Sequence, residues 1–335
     1  MKGNVTIVVG GQFGSEAKGK VISFLANKFD IAVRTGSPNA GHTVLNNGEI
    51  YRLQQIPATF VNPNCALCIG AGALINPDVL KKEVEFTKTK KRLFIDPQAG
   101  IIEEKHILQE LGLAEKIGST EKGCGAALAD RIARKNFKLA KDALQDFQIV
   151  KIAEKLNQAI DEGKNVLVEG TQGFGLSLYH GIYPFVTSRD TGAANFLAEA
   201  GISPLLATEI ILVIRTYPIR VAGNSGPLLK EITWEELSDR IGKKVEEKTT
   251  VTKKIRRVAE FDIDLIKKAI LINRPTQIAL QFLNYLYPQD ENKNSWDGLS
   301  IEAKKYITSL ESNLGVPITL IGTGRDNEAM IDRRK

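Results

Sequence analysis

The chain has 335 residues, 43% of them hydrophobic and 25% charged, with a formal net charge of +6 at neutral pH. That is enough apolar residue for one large α/β domain or two smaller ones, and it excludes a disordered chain. The basic excess suits phosphorylated substrates but is too diffuse for a nucleic-acid partner, and no apolar run approaches a membrane span. Met1-Lys2-Gly3 leads straight into a strand pattern without a signal-peptide core, so a cytoplasmic location is expected. Three cysteines make no disulfide framework. Cys65 and Cys68 form a C-x-x-C, but an offset of three along a strand sends the thiols to opposite faces, which argues against a redox or zinc role.

In chain order, residues 5–9 read as a fully buried strand and 21–26 as the first helix. Between them lies Gly10-Gly11-Gln12-Phe13-Gly14-Ser15-Glu16-Ala17-Lys18-Gly19-Lys20. A glycine-rich turn that opens into a helix exposes backbone N–H groups at the helix's positive end, and two lysines there complete a phosphate cradle. Gly14, four residues, and Gly19-Lys20 approach Walker A spacing, but Val21 replaces the hydroxyl that would bind magnesium. Further strands are expected at 31–34, 66–69, 92–95, 166–168, 210–214, 277–280 and 318–321. Helices are expected at 79–87, 101–111, 126–134, 149–162, 192–200, 265–272 and 301–314. This alternation predicts a mostly parallel central sheet with helices on both faces, in an α/β fold that forms a single domain over 1–335 with inserted loops. His106 is expected on a solvated helix face. Ser119-Thr120 ahead of Gly123-Cys124-Gly125 at a helix start reads as a second anion site.

Several of these segments resemble the adenylosuccinate synthetases. The turn at 10–20 is similar to that family's Gly-Gln-Trp-Gly-Asp-Glu-Gly-Lys-Gly-Lys, with Ser15 in place of the catalytic Asp and Ala17 in place of a Gly. Asn39-Ala40-Gly41-His42-Thr43 matches the family's segment without a change. The resemblance implies that Gly14, Glu16, Ala17, Lys18, Gly19, Lys20, Gly41, His42 and Thr43 bind the nucleoside triphosphate. It also implies a Mg2+ ion held at Ser15 and Gly41, and His42 acting on the transferred phosphoryl group as acid or electrostatic stabiliser. Ser119-Thr120 resembles a Ser-Thr pair whose threonine binds the nucleotide monophosphate, and Arg134 matches an arginine that reaches that phosphate from the neighbouring subunit of a homodimer. Glu169-Gly170-Thr171-Gln172-Gly173 and Tyr183-Pro184-Phe185-Val186-Thr187-Ser188 carry Gln172 and Thr187 over as base and phosphate contacts, beside Ser15 and Asn39. Ser15, Lys18, His42 and Gln172 form the implied catalytic set.

The loop Thr249 to Val258 resembles the family's aspartate loop and assigns Thr250, Val251, Thr252, Lys254 and Arg256 to aspartate. Lys254 stands where the family has an arginine that also reaches a ribose 2′-hydroxyl, which favours a deoxyribose. Phe282 and Asn284 replace residues that read guanine, so an adenine triphosphate is expected there, with Gly322 and Gly324 in the final base-binding turn. Ser15 leaves room for a purine 2-amino group. These departures resemble the phage branch of the family, 2-aminoadenylosuccinate synthetase. They imply joining of L-aspartate to C6 of dGMP through a 6-phosphoryl intermediate, with ATP or dATP. The alternatives are an ordinary synthetase using IMP and GTP, and a catalytically silent nucleotide-binding regulator; DNA binding is a remote third.

Overall fold

The computed structural model describes residues 2–248 and 255–334. Of the residues expected to meet aspartate, Thr250, Val251, Thr252 and Lys254 lie outside that range. The centre is a ten-stranded sheet. In chain order its strands are β1 (Val5–Gly10), β2 (Ile31–Arg34), β3 (Ala66–Ile69), β4 (Leu93–Ile95), β5 (Gln148–Ile149), β6 (Val166–Glu169), β7 (Ala207–Arg215), β8 (Gln277–Gln281), β9 (Ile318–Gly322) and β10 (Met330–Asp332). Across the sheet they run β10-β9-β8-β7-β1-β6-β2-β3-β4-β5. Every pair is parallel except β9 with β10.

Strands covered on both faces must be apolar throughout. All six residues of β1 are buried accordingly. Val5, Ile7 and Val9 pack on one face with Leu156 and Phe196, whereas Val8 points to the other, with Val21, Ile22 and Leu25 of helix α1 (Lys18–Leu25). The same alternation places Cys68 in the first of these cores and Cys65 in the second. Both thiols are free and buried, and burial pushes both up, Cys65 to about 11.

All eight expected strands appear, most with ends shifted by a residue or more. The expected helix at 101–111 stops at Gln109, and a separate turn of helix, Leu113–Ile117, follows Gly112, whose φ of 85° breaks the run. The expected helix at 149–162 begins only at Ile152, because Gln148–Ile149 joins the sheet edge. Sequence patterns also missed a hairpin, His42–Asn46 with Glu49–Leu53, turned by Asn47 and Gly48 at φ 51° and 79°. Asn-Gly is the residue pair that such a turn favours. Helix Trp234–Ile241 was missed too, despite the capping box Thr233 and Glu236. His106 is a correction: its side chain is buried beside Asp130, with Nδ1 accepting from the Glu103 N–H, and is not on a solvated face. Among the described residues no helix is long and apolar enough to cross a membrane.

Candidate active site

A parallel sheet gathers the loops that follow its strands at one edge, where ligands of α/β proteins bind. β1 leads there into the turn 10–20, β2 into 35–43, β6 into 170–173, β7 into Thr216, β8 into Phe282 and β9 into Thr323. The sequence-predicted segments therefore converge at one edge of the sheet.

The turn is held by close backbone approach. A Cβ at Gly10 would lie 2.7 Å from a Glu16 carboxylate oxygen and 2.8 Å from Lys18 Nζ, and one at Gly19 would lie 2.8 Å from the Thr43 carbonyl. Only glycine leaves that room. Ser15 and Ala17 adopt the left-handed region at φ 59° and 67°, each a strain of roughly 1–2 kcal/mol. Glu16, fully buried, offsets this by accepting from the N–H groups of Gln12 (3.1 Å) and Gly14 (2.8 Å) and from Lys18 Nζ (2.6 Å). Lys18 also donates to the Gln172 carbonyl. The cradle thus carries its own anion, with Lys18 Nζ aimed into it. Lys20 donates to the carbonyls of Gly324 (2.6 Å) and Ala329 (2.8 Å), which ties the turn to the loop after β9. Burial lowers the Lys20 ammonium to about 8, against the opposing pull of Asp326.

His42 opens the missed hairpin and points back at the sheet edge. Its Nδ1 lies 2.6 Å from Glu169 Oε1 and 2.8 Å from Arg34 NH1, and Arg34 also pairs directly with Glu169. Ala58 N–H donates to the other Glu169 oxygen at 2.7 Å. Burial raises the Glu169 carboxyl, but Arg34 and His42 outweigh it and hold it below the usual range. An ionised Glu169 requires a donor at Nδ1, which fixes that tautomer and leaves the Nε2 lone pair without a partner among the described residues. Burial first, then Arg34, lower His42 from 6.5 to about 4. The unfolded chain therefore binds a proton between these pH values that the folded chain refuses. Stability is unaffected by this group above pH 6.5 and falls as pH drops towards 4. Urea midpoints across that window are expected to fall less steeply in His42→Asn than in the wild type; equal slopes would contradict this protonation state.

Gln172 sits at φ 57° and donates from Nε2 to Asn39 Oδ1 at 3.0 Å, and Asn39 Nδ2 reaches Thr187 Oγ1 at 3.5 Å. Three residues predicted to face the purine monophosphate are thereby joined. Phe282, at φ 62°, presents its ring under the Arg215 guanidinium at 3.9 Å. Asn284 is half-buried, and its side chain makes no hydrogen bond among the described residues. Arg134 is exposed at the end of helix α2 (Cys124–Ile132), and its side chain is likewise without a polar partner among the described residues. Arg256, half-buried, has its ordinary value lowered by burial and sends Nε towards the Lys248 carbonyl at 3.4 Å.

The second anion site needs correction. The N–H groups of Gly123, Gly125 and Ala126, at the start of α2, donate to the Glu110 carboxylate at 2.8, 2.6 and 3.2 Å. The anion at that helix start is supplied by the chain itself, while Ser119 Oγ accepts from the Glu121 N–H at 3.1 Å and keeps its hydroxyl proton to donate. Glu110→Ala strands three donors, with an expected stability loss of about 1–3 kcal/mol by urea unfolding. An unchanged midpoint would contradict that cap.

Sequence reasoning left three charged residues without a role: Arg34, Glu169 and Arg215. Each closes an apolar run at the end of its strand, Ile-Ala-Val-Arg, Val-Leu-Val-Glu and Ile-Ile-Leu-Val-Ile-Arg, and each is buried at the site edge. A charge at the last position of a buried strand was the signal available.

The family model described as "Adenylosuccinate synthetase" matches residues 7–147 and 138–293. The chain is 44% identical to the adenylosuccinate synthetase of Methanosphaera stadtmanae, over 98% of both chains. It is also 44% identical to that of Methanocaldococcus jannaschii, over 98% of this chain and 96% of the relative. Among solved structures, fully ligated adenylosuccinate synthetase from Plasmodium falciparum shares the fold, with a TM-score of 0.89 and 24% identity over 99% of this chain and 100% of that one. Cyanophage S-2L succinoaminodeoxyadenylate synthetase, bound to dGMP and dATP as an energy donor, has a TM-score of 0.86 and 25% identity over 100% of this chain and 97% of that one. On this fold and this sequence likeness, the chain belongs to the adenylosuccinate synthetase family, carbon–nitrogen ligases that use aspartate and a nucleoside triphosphate.

Proposed function

We propose that the whole chain, as one domain, joins L-aspartate to C6 of dGMP, driven by ATP or dATP, giving 2-amino-N6-succinyl-2′-deoxyadenylate for 2-aminoadenine DNA. The observation that carries this reading is Ser15. It occupies the cradle position where the family resemblance expects a carboxylate, in a left-handed turn whose carbonyl accepts from Arg215 at 3.0 Å. A hydroxymethyl group leaves space beside N1 for the 2-amino group of guanine. The Asn284 side chain, unpartnered among the described residues and offering a donor as well as an acceptor, and the Phe282 ring support an adenine triphosphate. The cyanophage structure bound to dGMP and dATP supports the same substrates. The archaeal relatives, 44% identical and named adenylosuccinate synthetases, support a second reading, IMP with GTP, and among the comparisons theirs is the stronger support, since the cyanophage enzyme is 25% identical.

In the first step O6 attacks the γ-phosphorus and the nucleoside diphosphate leaves. Lys18 exchanges the Glu16 carboxylate for phosphate oxygens, and the loop N–H groups face the same charge. An anion beside His42 raises its proton affinity, so that Nε2 gains a hydrogen to donate to the phosphoryl group while Glu169 holds Nδ1. Serine is no base at neutral pH, so the N1 proton passes to an oxygen of phosphate or water. Ser15 Oγ and the Gly41 carbonyl, both hard oxygen donors, would hold a Mg2+ ion. Such an ion would supply charge neutralisation during transfer. In the second step the aspartate amine displaces phosphate at C6, with Arg256 paired to its carboxylate, while Gln172, Asn39, Thr120 and Thr187 hold the monophosphate nucleotide. Arg134, exposed, is proposed to reach the partner's monophosphate in a homodimer.

Phosphate release and product mass, with dGMP, GMP and IMP crossed against ATP, dATP and GTP, test this reading. The dGMP and adenine-triphosphate pairs are expected to lead, and IMP with GTP leading would replace this reading with the second. Ser15→Asp is expected to shift the kcat/KM ratio of dGMP to IMP towards IMP by about tenfold or more. An unmoved ratio would remove Ser15 from substrate choice.

A further inference from the structure

Arg215 closes β7, the longest strand of the sheet, and its side chain is fully buried. Its guanidinium spans three parts of the site. NH1 donates to the Ser15 carbonyl at 3.0 Å and to Glu247 Oε2 at 3.2 Å, and NH2 donates to Glu247 Oε1. Its plane lies over the Phe282 ring at 3.9 Å. Its backbone is clamped as well, since Gln12 Oε1 accepts from the Arg215 N–H and Gln12 Nε2 donates to the Arg215 carbonyl, both at 2.9 Å. Glu247 is the other half of the device. Its carbonyl accepts from the Arg256 N–H at 2.9 Å, and Lys248 bridges Ile255, so Glu247–Lys248 pairs with Ile255–Arg256. The indole of Trp234 donates to the Arg256 carbonyl at 2.7 Å on the same stem.

We infer that Arg215 is a positioning residue for the ligase: through Glu247 it sets Arg256 in register with the Ser15 turn and the Phe282 platform. Only a planar fork with several fixed donors can do this. A lysine would keep the charge and lose the geometry. The guanidinium joins the phosphate cradle and the loop stem through one rigid group, so aspartate affinity depends on the Ser15 turn being in place. This inference rests on the reading that Arg256 takes an aspartate carboxylate.

The test uses the full chain as wild type, Arg215→Lys, Glu247→Gln and the double variant, with Mg2+, triphosphate, and dGMP or IMP, whichever the wild type turns over. KM for aspartate is expected to rise about tenfold or more in each single variant, while KM for the monophosphate stays within about twofold. The double variant is expected to be no worse than the worse single one, because both remove the same link. A second readout needs no turnover. In a Trp296→Phe background, the remaining Trp234 reports on the loop stem, and its emission is expected to move to longer wavelength in both single variants. Aspartate KM unchanged with only a lower melting temperature would overturn the inference, and so would unmoved Trp234 emission. If Arg215→Lys does not fold, Glu247→Gln decides alone. A wild type inactive with every nucleotide pair would defeat the proposed function, and the Trp234 comparison would still decide the link.

Discussion

Lys18→Met is expected to reduce turnover by about 10³-fold or more, because Nζ is the one side-chain cation that the turn aims directly into the phosphate cradle. It should also destabilise the fold. Both members of the Lys18–Glu16 pair are at most 2% exposed, and removing one partner of a buried pair costs about 3–5 kcal/mol. The double variant Lys18→Met/Glu16→Gln separates the two effects. It no longer buries an unpaired carboxylate, so stability should largely return while turnover does not. Steady-state phosphate release and urea unfolding on the same samples read both quantities. Turnover recovering with stability would reduce Lys18 to a structural role.

His42→Ala is expected to lower kcat by about 10²–10⁴-fold, the usual range for a group that exchanges or donates a proton in the transition state. Stability near neutral pH should change far less, because Arg34 still pairs with Glu169 and Ala58 still donates to it. A loss in kcat with an unchanged triphosphate KM places the interaction in the transition state. Nucleotide binding without turnover in the wild type, indifferent to His42→Ala, would instead favour a silent regulator.

The strands were legible because they are buried on both faces and read as largely apolar runs, as in Val5–Gly10 and Val166–Glu169. The cradle was legible because glycine and lysine at fixed spacing have few other uses. What escaped was tertiary. Nothing local around Glu110 says that it will cap a helix beginning fourteen residues later, and only the packed lobe brings it to Gly123, Gly125 and Ala126. His106 looked solvated because helix Glu104–Gln109 has charged neighbours, yet its side is covered by Phe137 and Asp130. Arg34, Glu169 and Arg215 were hidden differently. Their position at strand ends was visible, but their pairing with His42 and Glu247 joins residues from separate loops and could not be read along the chain.

The most direct test follows the oxygen. With dGMP labelled by ¹⁸O at O6, together with aspartate, Mg2+ and dATP or ATP, phosphorylation of O6 followed by displacement at C6 must deliver the label to inorganic phosphate. One labelled phosphate per succinylated nucleotide, with the product mass retaining the 2-amino group, is the predicted result. A product formed while the released phosphate stays unlabelled would contradict the 6-phosphoryl route, and no product from dGMP under conditions where IMP reacts would contradict the assignment of the substrate.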